Sequence, residues 1–311
     1  METKLNNKIS KLSSLCSLDF LWLELTRKCN LNCVHCYAES SPKISLSSSK
    51  MQIADWKRVI NEAFEYGCRK LQFIGGEATI YPHLTELIEY SSGVGYEYIE
   101  LFTNGINFSD SLKNILVKYN IKLAFSVYSA DSKVHDEITK LSGSQKKTLE
   151  NIRWSIENFL NIRVAIVDVG TNSDTVEDTK SLLKNMGVEN IAVDKTRGVG
   201  RGNDSVQTQS PVDELCGNCW KGKLCVTASG EIYPCVFSRF WSVGNASDGL
   251  DKVLKSDSLL EFRLNQKGKY EVSPDSHSNC HPQCGPACTP DECSPQSDCN
   301  PFCGPGHVPN Q

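Results

Sequence analysis

Short apolar runs alternate along the first two thirds of the chain with stretches whose apolar residues recur every third or fourth position. The first kind reads as buried strands and the second as amphipathic helices. Strands are predicted at 20–25, 71–74, 98–102, 121–127, 162–167 and 190–193. Between the first two, Ser49-Lys50-Met51-Gln52 fits a helix capping box. Ile53, Trp56, Ile60 and Ala63 then follow at helical spacing, and Gly67 is the stop. Further helices are predicted at 83–90, 109–119, 146–160 (through Leu149, Ile152, Ile156 and Phe159) and 174–186. Strands alternating with helices imply a parallel sheet with right-handed crossovers. Six repeats fall short of the eight of a closed barrel, so the expected fold is α/β, a partial (β/α)6 TIM-like barrel. Chemistry in such architectures gathers at the C-terminal ends of the strands.

At 311 residues the chain is long enough for one large domain and an appendage. The expected division is a tail at 1–19, a core domain at 20–210 and a cysteine-rich domain at 211–311. A net charge of −4 gives no reason to expect nucleic acid or an anionic membrane as partner. No apolar run reaches bilayer length, and residues 1–14 lack the apolar core of an export signal. Fifteen cysteines would suit a disulfide framework in a small secreted chain, but their distribution is uneven. Three lie close together near the start and ten lie from Cys216 onward, while Cys16 and Cys68 are isolated and read as buried small residues. The expectation is a reducing, cytoplasmic compartment in which the grouped thiols hold metal.

The first group is Cys29-Asn30-Leu31-Asn32-Cys33-Val34-His35-Cys36, directly after the first strand. A cubic [4Fe-4S] cluster takes soft thiolate ligands, normally four. Three from one loop leave an iron open to a ligand that is not protein, the arrangement of a catalytic cluster. A zinc knuckle is the alternative, with His35 as fourth ligand, although zinc favours ligands paired as two C-x2-C units. The second strand runs into Gly75-Gly76-Glu77, where glycines let backbone approach a ligand closely. The third ends at Thr103-Asn104-Gly105 and the fourth at Ser126, Val127 and Tyr128. Polar residues there serve equally as helix caps.

The C-x3-C-x2-C motif resembles the signature of the radical S-adenosylmethionine (SAM) superfamily. The resemblance implies the partial barrel and a [4Fe-4S] cluster on Cys29, Cys33 and Cys36, with SAM bound to the open iron. It also implies that Gly75, Gly76 and Glu77 hold the SAM amino group, although Ala78 replaces the usual proline. Thr103, Asn104, Ser126 and Tyr128 become candidates for the ribose or the methionine carboxylate. His35 takes the slot where relatives carry an aromatic that packs on adenine. The segment from Val127 to Ser144 resembles the branch of the family that modifies peptides. Its His135-Asp136 pair reads as a general base or, preferably, as a helix-capping and substrate loop. The Arg197-Gly198-Val199-Gly200-Arg201-Gly202 stretch suits carboxylate or backbone-carbonyl recognition, or else a solvated linker.

From residue 211 the composition shifts. Cys216, Cys219 and Cys225 precede a predicted hairpin with its turn at Ser229-Gly230 and Cys235 on the returning strand. One short helix is expected at 251–262. Cys280, Cys284, Cys288, Cys293, Cys299 and Cys303 then fall among prolines with few core formers, a stretch that metal ligation would have to stabilise. The Cys225-x4-Gly230-x4-Cys235 and Cys293-x5-Cys299-x3-Cys303 pieces resemble the SPASM extension of radical SAM enzymes, which carries one or two auxiliary [4Fe-4S] clusters. Zinc is the alternative for this region.

Together the resemblances imply an enzyme that cleaves SAM reductively to a 5'-deoxyadenosyl radical and modifies a ribosomally synthesised peptide, by cross-linking or epimerisation. Expected partners are a precursor peptide, whose leader would dock on the barrel, the SPASM region or a separate leader-binding protein, and an electron donor such as flavodoxin or ferredoxin. A radical SAM dehydrogenase or epimerase on a sugar or other small molecule is the alternative. A non-catalytic iron-sulfur electron-transfer scaffold is the alternative of another class.

Overall fold

A computed structural model describes residues 17–206 and 210–271. Each predicted strand forms, within two residues of its expected ends. Strands β1 (Phe20–Glu24), β2 (Lys70–Ile74), β3 (Tyr98–Thr103), β4 (Lys122–Val127), β5 (Ile162–Asp168) and β6 (Asn190–Lys195) are parallel neighbours in chain order. The intervening helices are α1 (Ile53–Glu65), α2 (Leu84–Val94), α3 (Asp110–Lys118), α4 (Ser132–Thr139), α5 (Ser144–Glu157) and α6 (Val176–Asn185). The partial (β/α)6 barrel is therefore the observed core.

Local chemistry explains the element ends, with two corrections. Helix α1 is capped three residues later than expected: Gln52 is the N-cap, and its N–H donates to Asp55 Oδ2 at 2.9 Å. Ser49 instead ends a short 3-10 turn, so the nearer acidic side chain displaces the expected box. Helix α4 fills a stretch read as loop. Asp131 caps its start by accepting from the Lys133 N–H at 2.7 Å, and Lys140 ends it at φ 59°.

Among the described residues the sheet holds nine strands, in the order β6-β5-β4-β3-β2-β1-β7-β8-β9. Strand β7 (Lys223–Val226) pairs parallel with β1, and β8 (Glu231–Tyr233) returns antiparallel as the expected hairpin, followed by β9 (Gly244–Asn245). The hairpin thus extends the barrel sheet across the expected boundary at 210/211. Between β6 at one edge of the six parallel strands and β7 beside β1 at the other lie the crossing residues 196–206 and 210–222. Two helices follow, α7 (Leu250–Leu254) and α8 (Asp257–Glu271), where one was expected at 251–262. Ser256 divides them, its Oγ donating to Val253 O at 2.8 Å and accepting from Leu259 N–H at 3.2 Å. Cys16 and the expected ligands Cys280, Cys284, Cys288, Cys293, Cys299 and Cys303 lie outside the described residues.

The period-two alternation of the strands divides the interior. One face, with Leu21, Leu23, Phe73, Leu101, Phe125 and Ile166, packs on helix residues such as Trp56, Ile60, Leu87 and Ile152. The concave face carries Phe20, Trp22, Ile74, Tyr98, Cys225 and Tyr233, which join Cys219, Cys235, Val236 and Phe262 in a second cluster. Deep in the concavity, the Glu100 carboxylate accepts from Arg163 Nε at 2.8 Å and Nη2 at 2.7 Å, from Tyr98 Oη at 2.8 Å, and from the Gln72 amide. This pair plugs the barrel floor. Replacing Arg163 by Met leaves a buried carboxylate unpaired, so the variant is expected to lose about 3–5 kcal/mol in denaturant unfolding. A loss under about 1 kcal/mol would mean that the remaining donors satisfy Glu100 alone.

Candidate active site

The loop after β1 is held by backbone bonds on both sides. Cys29 N–H donates to Ser41 O at 3.2 Å, while Asn32 N–H and Val34 N–H donate to Thr139 O and Ile138 O at the end of α4, both at 3.1 Å. The loop also lies against the turn after β2. Gly76 N–H donates to Thr26 O at 2.6 Å and Glu77 N–H to Lys28 O at 3.0 Å. A Cβ on Gly76 would meet Lys28 O at 2.3 Å, and one on Gly75 would meet Thr26 O at 2.9 Å. The glycines thus admit the protein's own backbone, the residues after β1 and β2 approaching there as closely as a ligand would.

Glu77 is buried and serves as a junction. Its Oε1 accepts from Thr103 Oγ1 at 2.7 Å and Thr79 N–H at 3.0 Å, and its Oε2 accepts from Asn104 N–H at 2.8 Å. Burial raises its pKa above the usual carboxylate value. Asn104 carries the link to the cysteine loop, its Nδ2 donating to Asn30 Oδ1 at 2.7 Å and approaching Cys29 Sγ at 3.9 Å. The Leu31 N–H donates to Cys29 Sγ at 3.3 Å. Burial, and then Glu77, push the Cys29 thiol far up, and burial followed by Cys36 pushes Cys33 up to about 12. Burial thus keeps both thiols protonated unless a cation lies beside them. Tyr128 lies beside them, where burial and then Cys33 raise its pKa, with its ring edge-on to His35 at 5.0 Å. Burial lowers the His35 pKa to about 4, so its imidazole is neutral, and its buried Nδ1 has no hydrogen-bond partner among the described residues.

All the residues expected to bind the first cluster or SAM line one open cavity: Cys29, Cys33, His35, Cys36, Gly75, Gly76, Glu77, Thr103, Asn104, Ser126 and Tyr128. His135 is elsewhere. It is buried, its Nδ1 accepts from Tyr128 N–H at 3.3 Å, and burial holds its pKa at about 4. Asp136 accepts from Gly143 N–H, Ser144 Oγ and Gln145 N–H at the start of α5. Asp136 thus caps the start of α5 while His135 ties down the backbone after β4, and Cys68 is a buried residue whose thiol donates to Lys70 O at 3.2 Å.

The rest of the cavity wall was hidden in the sequence. Asp194 and Lys195 come from the end of β6, Thr196, Arg197 and Arg201 from the crossing segment, and Phe237 from the chain after β8. Arg201 donates from Nε to Cys33 O and from Nη2 to Ser40 O, both at 2.8 Å, and its N–H reaches Cys36 O at 3.1 Å. This is the backbone-carbonyl recognition foreseen for the Arg/Gly stretch, with the chain's own loop as target. The Arg197 guanidinium lies 4.5 Å over the Phe237 ring and pairs with Asp194 at 3.6 Å.

Among the C-terminal cysteines, hydrogen bonds to Cys216 and Cys235 raise the Cys219 pKa, and the bond from Cys219 lowers that of Cys235. Cys225 is fully buried on β7, beside the Glu24–Arg239 ion pair, with Cys235 among its neighbours. Among the described residues no three His, Cys, Asp or Glu side chains are gathered tightly enough for one metal ion. Cys29, Cys33 and Cys36 line one cavity together, and the buried His35 Nδ1, without a partner among the described residues, leaves a polar contact for a ligand there.

The profile of the radical SAM superfamily matches residues 23–186. The chain belongs to the radical SAM superfamily. The SPASM profile, an iron-sulfur cluster-binding domain, matches residues 216–288. The cofactors of this radical SAM protein are accordingly a [4Fe-4S] cluster and SAM, with auxiliary iron-sulfur binding in the SPASM part. The chain is 26% identical over 255 residues to the antilisterial bacteriocin subtilosin biosynthesis protein AlbA of Bacillus subtilis, covering 71% of this chain and 56% of AlbA. It is 28% identical over 183 residues to the sporulation killing factor maturation protein SkfB of the same organism, covering 58% and 43%. It thus spans about half the length of the curated relatives it matches. The fold is that of Streptococcus suis SuiB, with a TM-score of 0.66 at 18% identity, over 83% of this chain and 70% of SuiB. No described helix is long and apolar enough to cross a membrane.

Proposed function

We propose that this chain cleaves SAM reductively and modifies a ribosomally synthesised precursor peptide by hydrogen abstraction, as a cross-link or an epimerisation. The observation that carries the reading is the single cavity on which Cys29, Cys33 and Cys36, the 75–77 turn and the ends of β3 and β4 all converge. The peptide substrate is supported by the names of AlbA and SkfB, and by the structure of SuiB bound to its precursor peptide SuiA. When bound, the cluster and SAM supply one-electron cleavage to methionine and a 5'-deoxyadenosyl radical. The protein's share is to position, to exclude water and to hold charge. Cys29, Cys33 and Cys36 ligate the cluster. Glu77 Oε2, which accepts one bond here, keeps a lone pair for the SAM ammonium. His35, Gly75, Gly76, Thr103, Asn104, Ser126 and Tyr128 line the remaining contacts, and Cys216, Cys219, Cys225 and Cys235 serve an auxiliary cluster. A reducing, cytoplasmic compartment goes with this reading, and the cysteines grouped as ligands support it. A one-electron donor and a leader-binding protein complete the expected partners.

Glu77→Gln tests the site. It removes the charge and turns an amide N–H2 toward donors that the carboxylate accepts. A charge-assisted hydrogen bond is worth about 1.5–3 kcal/mol, so SAM affinity should fall about tenfold to a hundredfold. Equilibrium titration with SAM under anaerobic conditions, at matched iron content, is the measurement. Unchanged affinity would leave Glu77 as a strut only.

A further inference from the structure

The cysteine loop has two sides. Leu31, Cys33 and His35 line the cavity, whereas Asn32 and Val34 face outward, Val34 with 40% exposure. The outer side is pinned to the end of α4 through Val34 N–H and Ile138 O. Chain continuity then places Lys140 and the exposed Leu141 beside it. Asp136 folds the next turn by accepting from Gly143 N–H at 2.5 Å, Ser144 Oγ at 2.8 Å and Gln145 N–H at 3.1 Å. From 140 to 147 the chain presents Lys140, Lys146 and Lys147, all exposed, and no acid. Of the nearest acids, Asp136 is turned onto the donors of residues 143–145, Glu137 and Glu150 are exposed, and Lys146 meets Glu150 only at 4.0 Å with both in solvent, a pair of little strength. A basic edge on a chain of net charge −4 stands apart from its background. The same edge carries two exposed apolar side chains, Leu141 and, in the loop between Cys33 and Cys36 that is bonded to the end of α4, Val34.

We propose that an acidic one-electron carrier protein docks on this edge, over Val34, Leu141 and the three lysines, and reduces the cluster from outside while SAM occupies the cavity. The inference rests on the reading of the cavity given above. One electron leaves the carrier's reduced flavin or iron-sulfur centre and enters the thiolate-held cluster; no bond forms or breaks in that step. A small apolar centre with a charged rim is the build of a weak, fast-exchanging redox interface, in which charge governs encounter.

The test uses the reconstituted full chain with two reductants, flavodoxin hydroquinone as the acidic carrier and dithionite as a small reductant, and measures 5'-deoxyadenosine. With Lys140, Lys146 and Lys147 all changed to Glu, the flavodoxin-driven rate at low salt should fall about tenfold or more, and the dithionite-driven rate should stay within about twofold. Added salt should slow the flavodoxin-driven reaction of the unaltered chain and leave that of the variant flat. The corresponding Lys→Arg triple variant should keep the flavodoxin-driven rate. An unchanged flavodoxin-driven rate in the Glu variant would overturn the proposal, as would parallel loss of both rates. Loss of precursor-peptide affinity with flavodoxin-driven cleavage intact would also overturn it, by giving the face to the peptide. Failure of the cavity reading would show itself separately, as no deoxyadenosine from dithionite in the unaltered chain.

Discussion

Changing Cys29, Cys33 and Cys36 together to Ala is expected to abolish SAM cleavage while iron remains bound at the C-terminal cysteines. The loop is fixed by backbone bonds from Cys29, Asn32 and Val34, and by Arg201 acting on the Cys33 and Ser40 carbonyls. None of these needs a thiol, so the barrel should fold and the loss should be chemical. Anaerobic reconstitution, iron counting and a deoxyadenosine assay form the measurement. Deoxyadenosine at the unaltered rate would remove the central reading. Loss of all iron together with the fold would instead make the first cluster a structural necessity.

Cys235→Ala should separate the two halves of the chemistry. Cys235 is buried, hydrogen-bonded by Cys219 and within 3.5 Å of the Phe237 N–H, and the Phe237 ring lines the cavity. The variant should still make deoxyadenosine without substrate, yet yield little or no modified peptide. Mössbauer spectra and metal analysis of a chain that lacks Cys29, Cys33 and Cys36 identify the C-terminal metal. Zinc without iron would make the region a structural clamp. Equal loss of deoxyadenosine and product would assign Cys235 to holding the cavity wall through Phe237.

Much of this was legible one residue at a time. Strand and helix periods depend on near neighbours, so β1 to β6 stood out and each marked motif fell at a strand's C-terminal end. Soft ligands at short spacing need no tertiary information to suggest a metal. Where caps compete locally, the reading slipped: Asp55 was available to Gln52, which moved the start of α1, and Ser256 split a single expected helix in two.

By itself, then, the sequence determined the order of the strands, the cysteine loop after the first of them, and the polar groups at the strand ends. The tertiary structure decided what those groups touch. Gly75 and Gly76 accommodate Thr26 and Lys28, because only the folded sheet brings the ends of β1 and β2 into register. Arg201 grips the carbonyls of Cys33 and Ser40, partners 168 and 161 residues distant that carry no side-chain signature. The parallel pairing of β7 with β1 is likewise invisible in four apolar-rich residues, since a strand's partner is chosen by which sheet edge the returning chain can reach. Local spacing sets the elements and the ligand types. Long-range backbone recognition closes the cavity around them.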